Sequence, residues 1–165
     1  MYRNPRAGLE LLLVHPGGPF WAKKDDGAWS IPKGEYDEGE DPLTVAKREF
    51  AEELGAPPPQ GAYLDLGELV QPSRKVIAAF AIEGDFDLAN LKSNFFEMEW
   101  PPQSGSKRSF PEIDRAQWFT PEAGRAKILS GQAPFIDRLV AQSGTMGNLL
   151  GRSCRAPRLS LPPFL

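Results

Sequence analysis

The sequence holds one cysteine, one histidine, no long apolar run and no basic run. A lone Cys154 excludes an internal disulfide framework and fits a reducing compartment, so a cytoplasmic location is expected. A lone His15 excludes a multi-histidine metal centre. Any metal would have to be gripped by oxygen ligands, a donor set that favours Mg²⁺ or Mn²⁺ over Zn²⁺. The longest early apolar run, residues 11–14, is strand-sized and far short of the roughly 20 residues that cross a bilayer. It also lacks the charged start and small-residue cleavage site of a signal peptide, so no membrane partner is expected. With 19 Lys and Arg against 22 Asp and Glu, the net charge of −3 argues against double-stranded DNA as a partner.

What is present is an ordinary globular composition, 41% hydrophobic and 25% charged, in a chain of 165 residues, enough for one domain with a substantial core. Residues 8–18, GLELLLVHPGG, read as a strand closed by a turn at residues 16–19. A stretch with Trp21 and Trp29 among Lys23, Lys24 and Lys33 follows as loop or short strands. YLDLGELV and KVIAAFAI have strand character, the second apolar enough to be covered on both faces. FEMEW alternates, with Phe96, Met98 and Trp100 on one face and Glu97 and Glu99 on the other. PPQSGSKRSFPEID reads as a loop, RAQWF as a short strand, and residues 121–129 and 134–142 as helices. Beyond Gly144 the chain loses periodicity and gains Arg and Pro. The division expected is a domain over 1–142 and a poorly ordered tail over 143–165.

The clearest helix lies between Asp41, a good N-cap followed by Pro42 at the first helical position, and Gly55, placed for a left-handed C-terminal turn. At about 100° per residue, Leu43, Ala46, Phe50 and Leu54 form an apolar stripe. Glu49, Glu52 and Glu53 then form an acidic wall beside it, at the separations where helical side chains meet. Like charges so placed repel, and they stand in the half of the helix whose dipole disfavours anions. An acidic helix face is most often solvated surface. A divalent cation would instead convert the repulsion into coordination, and repeated breaches of local rules on one face are expected at functional sites.

From Gly34 the pattern runs on through five residues to Glu40, then seven more to Arg48-Glu49-Phe50-Ala51-Glu52-Glu53-Leu54-Gly55-Ala56. This resembles the Nudix box, the signature of the Nudix hydrolase family, with every fixed position filled. Only Ala56 departs, standing where the family usually has a larger aliphatic residue. WSIPKGE before the box and PEIDRAQWF after it are similar to family sequence as well, so the resemblance spans most of residues 9–142.

The resemblance implies an α/β fold, the Nudix α/β/α sandwich with a mixed β-sheet. It also implies hydrolysis of a phosphoanhydride in a nucleoside polyphosphate with Mg²⁺ or Mn²⁺. Glu52 and Glu53 would be the central metal ligands, and Glu49 a ligand or the base that deprotonates water. Arg48 would orient those carboxylates, and Glu40 would sit at the start of the helix. Gly34 would allow a tight turn, with the carbonyl of Lys33 as a main-chain ligand. Glu112, six residues before Trp118, matches a further glutamate that many relatives carry, as a ligand or the base. For substrate, Lys23, Lys24 and Lys33 are candidates for outer phosphates, Trp21 or Trp29 for stacking on a base, and Arg74 or Lys75 for the cleft. His15 is assigned no role. The substrate expected is a dinucleoside polyphosphate or a nucleoside triphosphate. Removal of pyrophosphate from RNA 5′ ends is a weaker alternative for a chain without a basic stripe. The rival of another class is a non-catalytic Nudix domain that senses a nucleotide or scaffolds a partner. Oligomeric state is not legible.

Overall fold

The run of apolar residues after Leu9 becomes the strand around which everything else packs. A computed structural model of the protein describes residues 1–37, 39–71 and 74–150, without the side chains of 145–150. Its strands are β1 (Tyr2–Arg3), β2 (Glu10–Pro16), β3 (Tyr63–Val70), β4 (Val76–Ile82), β5 (Phe95–Glu99), β6 (Lys107–Pro111) and β7 (Ile113–Phe119). Its helices are α1 (Pro42–Leu54), α2 (Pro121–Lys127) and α3 (Ala133–Leu150).

Strand side chains alternate between faces, and β2 uses both. Leu11 and Leu13 join Trp29, Leu66, Phe119, Phe135, Ile136 and Leu139 in one buried cluster. Leu12 and Val14 join Phe50, Leu54, Phe86 and Ile113 in another. The first cluster is closed by α3 and the second by α1, which is the layering of an α/β/α sandwich. At about 25 cal/mol per Å² of apolar surface removed from water, these two clusters are the main stabilising term.

Every strand pairing is antiparallel: β2 lies between β1 and β7, β3 pairs with β4, and β5 with β6. Parallel bridges join Tyr2 to Glu83 and Trp29 to Ile128, which makes the arrangement mixed.

Several expectations need correction. The strand covered on both faces is β2; β4 is buried at Ala79, Ala81 and Ile82 but leaves Val76 exposed. The segment read as a loop after Trp100 contains β6, whose polar Lys107, Arg108 and Ser109 gave no apolar alternation but pair in register with Glu99, Met98 and Glu97. The last helix runs past Gln142 to Leu150. The remainder of the expected tail, residues 151–165, lies outside the described residues.

Candidate active site

The two ends of α1 fix the rotation of its acids. Asp41 accepts hydrogen bonds from the Thr44 N–H at 2.9 Å and the Thr44 hydroxyl at 2.6 Å. Gly55 closes the helix at φ 78°, donating its N–H to the Ala51 carbonyl at 2.9 Å. The buried residues of α1 are Val45, Phe50, Glu53 and Leu54. The acidic wall is therefore graded: Glu53 is buried, Glu49 half-buried and Glu52 exposed. The covering piece is the segment around Lys33 and Gly34.

Glu53 is the least ordinary acid of the three. Its Oε2 accepts the Lys33 N–H at 3.2 Å, and its Oε1 stands 4.0 Å from the Lys33 ammonium. Burial raises its carboxyl to about 7; Lys33 opposes the shift, and the charges of Glu49 and Glu112 add to it. The three carboxylates thus bear on one another although Glu112 is remote in sequence. Glu112 is held by its backbone, donating its N–H to the Asn94 carbonyl and accepting the Gly17 N–H, both at 2.8 Å.

Glu49 packs against Gly34 so closely that a Cβ at Gly34 would lie 1.8 Å from its carboxyl carbon. The need for glycine is therefore space beside Glu49, and no left-handed turn at Gly34 is involved. Arg48 reaches Glu49 Oε1 at 3.2 Å and Glu40 Oε1 at 3.4 Å, and both bonds hold its guanidinium protonated. Glu40 also accepts the Asp37 N–H at 2.8 Å, which lowers its carboxyl more than Arg48 does. Arg48 thereby ties the entrance loop to the central acid.

The substrate candidates are dispersed. Lys33 stands at Glu53, half exposed. Lys75 pairs with Glu35, beside Gly34. The Lys24 ammonium lies over the Trp21 ring at 4.4 Å. Trp29 is corrected: it is 2% exposed, packs edge-on to His15 and Phe119, and donates its indole N–H to Asp25 at 2.8 Å. A ring sealed into the core cannot stack on a base. His15, given no role, is fully buried, with Nδ1 2.8 Å from Asp114 and Nε2 donating to the Lys24 carbonyl at 2.9 Å. It fastens the loop after β2 to the start of β7, next to Glu112.

Among the described residues no three His, Cys, Asp or Glu side chains converge as a ready-made metal cage. Arg48 draws Glu49 one way, and Lys33 holds Glu53 another. The donor set nevertheless fits a hard divalent cation: every donor is an oxygen, and a buried carboxyl pressed by two further carboxylates is relieved by positive charge.

A family model for the NUDIX domain matches residues 2–139. An RNA pyrophosphohydrolase of Rhodospirillum rubrum is 43% identical over 151 residues, covering 83% of this chain and 86% of that protein. An RNA pyrophosphohydrolase of Helicobacter pylori is 36% identical over 62 residues, 33% of this chain and 40% of that one. Among solved structures, the Ap4A hydrolase of C. elegans in a binary complex superposes with a TM-score of 0.58 at 18% identity, covering 87% of this chain and 94% of that one. The NUDIX domain of Shewanella oneidensis NrtR with ADP ribose does so with a TM-score of 0.55 at 16% identity, covering 86% and 82%. At those identities the two structures speak for the fold alone. The box, the layering and the family match agree: the chain belongs to the Nudix family and is a hydrolase acting on pyrophosphate bonds.

Proposed function

We propose that the protein is a Mg²⁺- or Mn²⁺-dependent pyrophosphohydrolase of nucleoside 5′-polyphosphates, with a 5′-triphosphorylated RNA end as its substrate. One observation carries the metal-dependent chemistry: Glu53, buried in the fold, is pressed by the charges of Glu49 and Glu112. The relative from R. rubrum supports the RNA end. The net charge of −3 does not oppose it where cations are gathered locally.

Glu49, Glu52, Glu53 and Glu112 would hold the ion, with the Lys33 carbonyl as a further oxygen. A bound divalent ion neutralises charge on the phosphoanhydride and makes water a better nucleophile. Arg48 orients the Glu49 carboxylate through a charge-assisted hydrogen bond at 3.2 Å. Glu49 or Glu112 takes the proton from the attacking water. Lys33 and Lys75 offer ammonium groups to the outer phosphates, Lys75 after leaving Glu35.

The test is turnover with Mg²⁺ on a 5′-triphosphorylated oligoribonucleotide, diadenosine tetraphosphate, nucleoside triphosphates and nucleotide sugars, with product identification. Release of pyrophosphate or phosphate from the RNA end, lost in Glu52→Gln, is expected. Tight nucleotide binding without turnover of any substrate would mean a sensor domain instead.

A further inference from the structure

We infer that Phe20, Trp100 and Arg108 form a stacking subsite for a base of the RNA chain downstream of the 5′ nucleotide. This rests on the hydrolase reading above. Phe20, from the loop after β2, is 57% exposed and meets Trp100 edge-on at 5.4 Å between ring centroids. The loop runs along one face of the β5–β6 hairpin. A Cβ at Gly18 would lie 3.1 Å from the Phe96 ring, and two residues later Phe20 reaches Trp100. Register assigns that face: Phe96 is opposite Phe110, and Met98 opposite Arg108. Residues opposite one another in an antiparallel pair share a face. Arg108 therefore lies on the aromatic side, while Glu97 and Glu99 lie on the other.

Charge decides the occupant. Among the described residues Arg108, on the aromatic side, makes no ion pair, and neither does Lys23 on the loop. An exposed Phe20 ring against a half-buried Trp100, with unneutralised cations at hand, offers what single-stranded nucleic acid engages, a base on the rings and phosphates on the cations. Two rings offer an area suited to a base and small for a stable protein interface.

The subsite is joined to the reacting end. The Gly17 N–H donates to the Glu112 carbonyl at 2.8 Å, and β6 ends at Pro111, immediately before Glu112. At about 3.3 Å per residue, Trp100 lies about 16 Å along the hairpin from that end. This is several times the ~3.4 Å step of a stacked strand, so the base that reaches Trp100 belongs to a later nucleotide. The platform is pinned, because His15 holds the Lys24 carbonyl and Lys127 pairs with Asp26 at 2.6 Å.

Phe20→Ala and Arg108→Gln, both at exposed positions, are compared with the unaltered protein. The substrates are a short 5′-triphosphorylated oligoribonucleotide and the corresponding nucleoside triphosphate. kcat/KM on the oligonucleotide is expected to fall about tenfold or more through KM, with the mononucleotide rate unchanged. Equal loss on both substrates, or loss on neither, overturns the subsite. Anisotropy of the same oligonucleotide carrying a 3′ fluorophore keeps the two readings apart. Binding weakened by both variants in a protein that turns over nothing supports the subsite and removes the hydrolase. Unchanged binding removes the subsite whatever the turnover. Sedimentation that shows Phe20→Ala dissolving a dimer also overturns it, in favour of a second copy on this face.

Discussion

Glu53 and Lys33 face each other where the chain before the box meets the last turn of the acidic helix, carboxylate to main-chain N–H at 3.2 Å and carboxylate to ammonium at 4.0 Å. The pairing is too weak to offset burial: a main-chain N–H and an ammonium from Lys33 favour the carboxylate, while desolvation and the charges of Glu49 and Glu112 favour the protonated acid.

That arrangement fixes a pH dependence in the metal-free protein. The Glu53 carboxyl binds its proton up to about 7 when folded and up to about 4.5 when unfolded. Between those values the folded state holds more protons, so stability falls as pH rises and the loss is complete above about 7. The full effect is on the order of 3 kcal/mol. Thermal melting from acid to neutral pH with a chelator should show a falling midpoint, and Glu53→Gln should flatten the profile. A midpoint that rises over that window contradicts the burial argument.

Gly34→Ala should act on activity before stability. The new methyl meets the end of the flexible Glu49 side chain rather than backbone, so the carboxylate swings away and the fold adapts. A fall in kcat of on the order of tenfold to a hundredfold is expected, with a melting midpoint near that of the parent. A large loss of stability at unchanged kcat would place the role of Gly34 in the backbone.

Arg48 bridges Glu40 and Glu49 with two different nitrogens. Lysine presents a single point charge and cannot span both. Arg48→Lys should therefore lose kcat nearly as severely as Arg48→Ala, each by about tenfold to a hundredfold. Full rescue by lysine would reduce the role of Arg48 to its charge.

Trp29 should behave as core. Trp29→Ala is expected to cost about 3–5 kcal/mol, read by denaturant unfolding, because the ring fills space between His15 and Phe119. Trp29→Phe keeps most of the packing and should leave KM unchanged. A raised KM in the phenylalanine variant would return Trp29 to the substrate.

Legibility in the sequence followed the range of the interactions. The ends of α1 were readable because Asp41, Pro42 and Gly55 act on their own turns. The clustering of Glu49, Glu52 and Glu53 was readable because helical geometry is periodic. The burial of Glu53 was not, since it involves Lys33, which meets the helix from outside it, as Gly34 meets Glu49. Strand β6 was hidden by its polar residues, and only its pairing with β5 makes it a strand. Trp29 and Trp21 stood alike among lysines, yet one closes the core and the other carries Lys24 on its ring. Local sequence does not say which side of a loop faces inward. The meeting of Phe20 with Trp100 had no local signal at all, because the two residues lie on separate connections.

The most direct measurement is Mn²⁺ binding, followed by the loss of the free-ion paramagnetic signal on titration into the protein. The unaltered protein should take up the ion, Glu52→Gln and Glu53→Gln should each weaken that uptake by about tenfold or more, and the same two variants should lose hydrolysis in proportion. Binding curves that superpose for all three proteins would contradict the assignment of these acids as the ion-holding core of the site.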